Sequence, residues 1–205
     1  MRALAVLLST LFLPGVSHEP ATVSVLYAGS LVTPMEGPVA DALLREDNIQ
    51  FAGEGRGSTA LAKLIIGNVK RPDIFISADA RLIDDLRRSG LIASSETFGS
   101  ASMVLGYSPR SPHRAVFDSV AAGRASLLDA LQTKGLRISR TDPALDPKGA
   151  RTIRAMHLLA DPATVRSILG DDDNPAQIVP EENLLVRLET GESDVGFLYS
   201  TEATA

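Results

Sequence analysis

The sequence predicts an α/β protein built on parallel sheets covered by helices. Two observations carry this. Short apolar runs alternate along the chain with amphipathic stretches of helical period, the pattern of a repeated strand and helix unit. Two of the strands also end in glycine and serine turns that open directly into helices. The first is Val23-Ser24-Val25-Leu26-Tyr27-Ala28-Gly29-Ser30-Leu31; the second starts at Phe51 and passes Gly53, Gly55 and Gly57 to Ser58 and Thr59. A helix start leaves N–H groups without intrahelical partners at the positive end of its dipole, so each turn is a candidate seat for an anion.

Val23 to Tyr27 reads as the first strand, and the stretch from about Thr33 to Arg45 as a helix with Pro34 in its first turn and Val39, Leu43 and Leu44 on one face. Ile49 to Ala52 is a second strand. Ser58 is placed to cap a helix that Gly67 stops, and Pro72 to Ser77 is a third, buried strand. A helix from Arg81 to Arg88 closes at Ser89-Gly90. Turns this short between strands and helices imply a parallel sheet with ligands at the carboxyl ends of its strands, where both glycine-serine turns fall.

From about residue 92 the pattern starts afresh. Ala101 to Ser108 is a strand, Ser126 caps a helix that runs to Gln132, and Arg137 to Arg140 is another strand. The loop from Thr141 to Gly149 leads into a helix from about Arg151 to Ala160 with Ile153, Met156 and Leu159 as its apolar stripe. An acidic loop, Asp171 to Asn174, precedes a helix around Glu182 to Glu189, and Asp194 to Ser200 is the final strand. The expected organisation is an export segment at residues 1–17, a first lobe at 18–90, a second lobe at 91–196 and a crossover back towards the first at 197–205.

The export segment rests on Arg2 followed by the apolar run Ala3 to Leu13 and the small residues Gly15 and Ser17, with cleavage expected after Ser17. The chain has no cysteine, which excludes disulfides, thiolate metal sites and a lipidated cysteine anchor. Its formal charge is -5, and losing Arg2 makes it one unit more negative. A mildly acidic chain poor in aromatics has neither the basic surface nor the stacking platforms of a nucleic-acid binder. Any anion has to be recognised locally, by N–H dipoles and hydroxyls.

Five blocks in order carry a family resemblance: Ala28-Gly29-Ser30-Leu31; Gly57-Ser58-Thr59; Pro72 to Asp79; Asp142 to Arg151; and Asp194 to Ala203. Together they resemble the molybdate and tungstate binding proteins of ABC importers, an extracellular solute-binding family, over nearly the whole chain after residue 17. The resemblance implies a type II periplasmic-binding clamshell. Each lobe is a mostly parallel sheet flanked by helices, and the pair closes over a tetrahedral oxyanion and delivers it to a membrane permease. It also implies a periplasmic monomer with no catalytic residue, cofactor or resident metal cation. Residue by residue, Ser30 and Ser58 match hydroxyl donors of the first lobe, Asp146 the second-lobe loop and Tyr199 the phenol that closes the pocket. Gly29, Thr59 and the helix start at Glu182 and Asn183 would add N–H groups.

Two departures qualify this. Tungstate-type relatives carry a glutamate just before the tyrosine where this chain has Leu198, so plain tetrahedral recognition is expected. Relatives also continue beyond the position of Ala205 to complete the first lobe, so apolar faces and strand edges of that lobe are expected to be exposed.

Each residue also has a plainer explanation. Ser30 and Ser58 can be helix caps, Tyr199 a core aromatic, Asp142 and Asp146 turn formers before proline, and Asp171 to Asp173 a solvated loop. Enzyme motifs fail: Gly57 stands where a phosphate-binding loop needs lysine, and His18, His113 and His157 lie far apart with no partner at ligand spacing. Alternatives to oxyanion import are another small anion, or a sensor or fragment without transport activity.

Overall fold

Strand β1 (Ala21–Ala28) is the centre of the first sheet, paired in parallel with β2 (Ile49–Arg56) on one side and β3 (Ile74–Ile76) on the other. The computed structural model describes residues 19–203, so the expected export segment and its cleavage site lie outside the described residues. Both faces of β1 are covered, as its continuous apolar run requires. Leu26 packs with Leu61, Ile65 and Leu86 on one face, while Val25 and Tyr27 pack with Met35 on the other. Leu61 and Leu86 are fully buried, each contributing about 1.5–3 kcal/mol of apolar transfer.

The first helical region is broken where one continuous helix was expected. A single turn, α1 (Val32–Pro34), passes into a wide turn at Met35–Val39 and then into α2 (Ala40–Asp47). Gly37 leaves helical geometry at φ -109°, ψ -105° just before Pro38, whose ring and missing N–H cannot continue the ladder. Helix α3 (Ser58–Ile66) follows β2, and α4 (Ala80–Arg88) follows β3. Ser58 does not cap α3: Gly57 holds the cap position, and the Ser58 hydroxyl instead accepts the Ala78 N–H at 3.1 Å. That bond ties the second turn to the end of β3.

The second sheet has the order β4-β6-β5, with β4 (Met103–Tyr107) antiparallel and β5 (Ile138–Ser139) parallel to β6 (Val195–Tyr199). It is therefore mixed. Val195 and Phe197 face a core with Phe117, Met156 and Ile168, and Leu198 faces Leu184 and Leu188. Helix α6 (Leu127–Leu131) carries the expected Ser126 cap, whose hydroxyl accepts the Asp129 N–H at 3.3 Å. Two helices escaped the sequence reading, α5 (Arg114–Ala121) and α8 (Pro162–Leu169). The second had a legible start, because Asp161 accepts the Ala163 and Thr164 N–H groups and Pro162 occupies the first helical position.

Helix α7 (Pro147–Leu159) begins before the expected Arg151. Asp146 caps it by accepting the Lys148 N–H at 2.9 Å, and Pro147 fits the first position, where no N–H is needed. Gly149 lies against the preceding loop so closely that a Cβ there would stand 2.4 Å from the Thr141 carbonyl oxygen. Helix α9 (Glu181–Thr190) follows Pro180 and ends at Gly191 in left-handed geometry. The acidic loop is solvated as expected, but the carbonyls of Asp171 and Asp172 accept the guanidinium of the fully buried Arg140.

The first sheet exposes an edge at β3, with Ile74 47% exposed and Phe98, which lines a cleft with it, 75% exposed. The second sheet is pinned at its end by Asp194, whose carboxylate accepts the Arg137 backbone N–H and the Nε and Nη2 donors of its guanidinium. Burial alone would raise the Asp194 carboxyl, but these hydrogen bonds outweigh it and hold the group at about 2, below its ordinary 3.8.

Two outcomes follow for stability. A lowered carboxyl contributes stability that is present above its unfolded value and lost as pH falls towards about 2, so acid unfolding of Asp194→Asn should lose part of its steepness below pH 4. Proton uptake on unfolding, measured by acid titration with circular dichroism, checks this. Gly149→Ala forces a methyl against backbone and should lower stability by about 1–3 kcal/mol in a urea melt.

Candidate functional site

The two glycine-serine turns stand side by side at the carboxyl ends of the first sheet, and each meets a group from the other half of the chain. After β1 the chain makes a single tight turn, Gly29–Leu31. The Gly29 N–H is buried and donates at 2.8 Å to Oε2 of Glu181, the first residue of α9. The fit needs glycine, since a Cβ on Gly29 would lie 2.7 Å from that oxygen. The second turn meets the loop before α7: the Ala60 N–H donates to the Leu145 carbonyl at 3.0 Å, and Lys63 Nζ reaches the Ala144 carbonyl at 3.3 Å. A Cβ on Gly57 would lie 2.6 Å from the Leu145 oxygen, so this approach also depends on a missing side chain.

Behind these contacts lies a buried charged cluster. Lys148 Nζ, with no exposed side-chain surface, sits 2.8 Å from Glu202 Oε1 and 3.2 Å from Glu181 Oε1. Glu202 also accepts the Tyr199 N–H at 2.7 Å, and the ammonium lies 5.3 Å from the centre of the Tyr199 ring. Asp146 Oδ2 is buried without a hydrogen-bond partner among the described residues. One ammonium thus faces three carboxylates, Asp146, Glu181 and Glu202. Burial, reinforced by the Asp146 charge, pushes the Glu181 carboxyl up to about 7 against the pull of Lys148. Burial likewise raises Asp146, opposed by the Lys148 N–H and charge.

A cleft of about 1520 Å³ opens beside this cluster, with Ser30, Ser77, Ala78, Arg151, Tyr199 and Thr201 among its lining. Arg151 donates to the Tyr199 phenol oxygen at 2.6 Å. The acceptor side of that phenol is therefore occupied while its own proton is free to point at a ligand. Ser58 has the same arrangement, since its oxygen accepts from Ala78 and its proton remains to be donated. Ser77 differs, donating to the Asp79 carbonyl and accepting the Asp79 N–H. Burial holds the Tyr199 phenol above its ordinary value, so it stays a neutral donor.

Of the residues expected from sequence, Gly29, Ser30, Ser58, Asp146 and Tyr199 gather around this junction. Thr59 lines a separate cleft of about 430 Å³ with Asp79, Arg81 and Pro147. Glu182 is exposed on α9; its neighbour Glu181 points inward. Sequence reasoning missed Glu181, Lys148, Arg151 and Glu202 as members of the site. A signal existed for two of them. Glu181 shares a helical face with the buried Leu184 and Leu188, and Lys148 shares one with the buried Thr152 and Met156.

Comparison with known proteins agrees with this architecture. The pattern described as bacterial extracellular solute-binding protein matches residues 23–205. A Haloferax volcanii protein, provisionally named as a molybdenum-binding protein of an ABC transporter, is 32% identical over 197 residues, 92% of this chain and 58% of that protein. An uncharacterized solute-binding protein of Halobacterium salinarum is 32% identical over 184 residues, 89% of this chain and 59% of its own length. The chain thus spans somewhat over half the length of these relatives. Among solved structures, the Azotobacter vinelandii periplasmic molybdate-binding protein superposes with a TM-score of 0.62 at 17% identity, covering 86% of this chain and 71% of that one. The shared fold is the two-lobed type II periplasmic-binding arrangement of α/β lobes. With nearly all of the described residues matched, this chain belongs to the bacterial extracellular solute-binding protein family.

Proposed function

We propose that this chain is the substrate-binding component of an ABC importer that captures a tetrahedral oxyanion, molybdate or tungstate, between two lobes. The observation that supports this best is the pair of hydroxyls, Ser58 and Tyr199, each of which accepts a hydrogen bond and donates none among the described residues. An anion without protons needs donors only, and this donor set fits one. Ser30 on the cleft wall adds a third hydroxyl, and Arg151 places a formal positive charge beside the phenol. Gly29 and Thr59 belong to the same two turns. Asp146 serves by capping α7 and holding the Leu145 carbonyl against α3, and the start of α9 closes the far side.

The role is binding without chemistry. Residues 18–90 form the first lobe, 91–196 the second, and 197–205 lead back towards the first. The lobes rotate together over the anion, and the closed form docks on a membrane permease in the periplasm as a monomer. Leu198 in place of a carboxylate supports plain tetrahedral coordination. Discrimination against sulfate rests on cavity size. The relative named for molybdenum binding supports the choice of anion.

Calorimetric titration with molybdate, tungstate, sulfate and phosphate in turn checks the reading, with tight one-to-one binding of the first two expected. Ser58→Ala combined with Ser30→Ala should weaken molybdate by roughly 1.5–3 kcal/mol for each donor lost to a charged ligand. A folded protein that binds none of the four would reject the oxyanion reading.

A further inference from the structure

The Glu181 carboxylate is already doing what an anionic ligand would do. Its Oε2 accepts the buried Gly29 N–H at 2.8 Å, across 152 residues of chain, at the start of the turn that bears Ser30. Its Oε1 lies 3.2 Å from the Lys148 ammonium and has no hydrogen-bond partner among the described residues. Lys148 has a second carboxylate partner, Glu202, at 2.8 Å, which stays beside the ammonium when Glu181 moves. A carboxylate that shares its lysine with a second one and also fills the Gly29 seat competes with anything that would bind there.

We infer that Glu181 is a tethered occupant of the Gly29 seat, and that an entering oxyanion takes the Gly29 N–H by displacing it. This deepens the proposed function and rests on it. The exchange sets a charge threshold for the ligand. A monoanion replacing one carboxylate gains no electrostatic advantage from the donors it takes over, whereas a dianion brings twice the charge to the same dipoles, to Arg151 and to the hydroxyls. Glu181 is thus a specificity-determining residue that favours doubly charged oxyanions over singly charged ones of equal size.

Protonation acts on the same exchange. Groups facing Glu181 are Asp146 and Lys148 from α7 and its cap, Glu202 and the Tyr199 phenol after β6, and the Gly29 N–H from the first lobe. The ammonium and the N–H favour the ionised form, while burial and the two carboxylates oppose it and hold the group near 7. As pH falls through that value Glu181 becomes a poorer acceptor and a weaker competitor. Oxyanion affinity therefore rises from pH 8 to pH 6.

The test has two arms on the full chain, comparing wild type with Glu181→Ala and the isosteric Glu181→Gln, each checked for folding by circular dichroism. Without added anion, hydrogen exchange of the Gly29 amide by NMR should quicken about tenfold or more in Glu181→Ala, the loss of a hydrogen bond to a charged acceptor. In the second arm, molybdate and the tetrahedral monoanion perrhenate are titrated. Glu181→Gln should narrow the preference for molybdate over perrhenate about tenfold and flatten the pH dependence. Unchanged Gly29 exchange in both variants, with molybdate still bound, would overturn the tether and leave the proposed function standing. Quickened exchange in a folded protein that binds no oxyanion would overturn the displacement together with the proposed function.

Discussion

The constraint on which this structure depends is the set of N–H groups that a parallel sheet leaves unpaired where its strands turn into helices. Helix starts cannot satisfy these donors internally, and at a sheet edge facing another lobe they must find acceptors across the gap. Here both turns do so. Gly29 takes a carboxylate from α9, and Ala60 takes a carbonyl from the loop before α7. The glycines at 29 and 57 permit the approach, since a side chain at either would overlap the incoming oxygen. The same donors that make the turns suitable for an anion are what join the two halves of the molecule.

The charged cluster behind the junction follows from this. A carboxylate brought into the interior to meet Gly29 loses its water, and Lys148 compensates only partly because Glu202 and Asp146 draw on the same ammonium. Buried ion pairs contribute little net stability even when well formed. Here burial and the Asp146 charge hold the Glu181 carboxyl near 7 despite the Lys148 ammonium. The cluster also anchors the end of β6, because Glu202 accepts the Tyr199 N–H while Arg151 orients the phenol. Seat, lysine and phenol are thereby mechanically linked.

Much of the fold was legible locally. The apolar run of β1, the Ser126 cap and the glycine stops at Gly67 and Gly90 required only residue type and spacing, and each element stands close to where those signals put it. The misplacements have physical causes. Ser58 had the chemistry of a cap, but Gly57 takes the cap position and the hydroxyl accepts the Ala78 N–H instead. The long first helix ignored how Gly37 and Pro38 act in succession. Helix α7 began earlier because Asp146-Pro147 is a better start than its apolar stripe suggested. Helices α5 and α8 are short, and short amphipathic stretches resemble loops until something covers them.

The site divides along the same line. By itself the sequence determined the two glycine-serine turns, the parallel character of the first sheet and the family, because these rest on local backbone chemistry and ordered motifs. Only the tertiary structure decided which groups face those donors. Glu181 rather than Glu182 turns inward because its helix buries the face it shares with Leu184 and Leu188, and that phase is fixed by packing on β6. Lys148 and Arg151 from α7 and Glu202 from beyond β6 converge for the same reason. A charge is exposed or buried according to what lies opposite, and what lies opposite is settled only when the chain has folded.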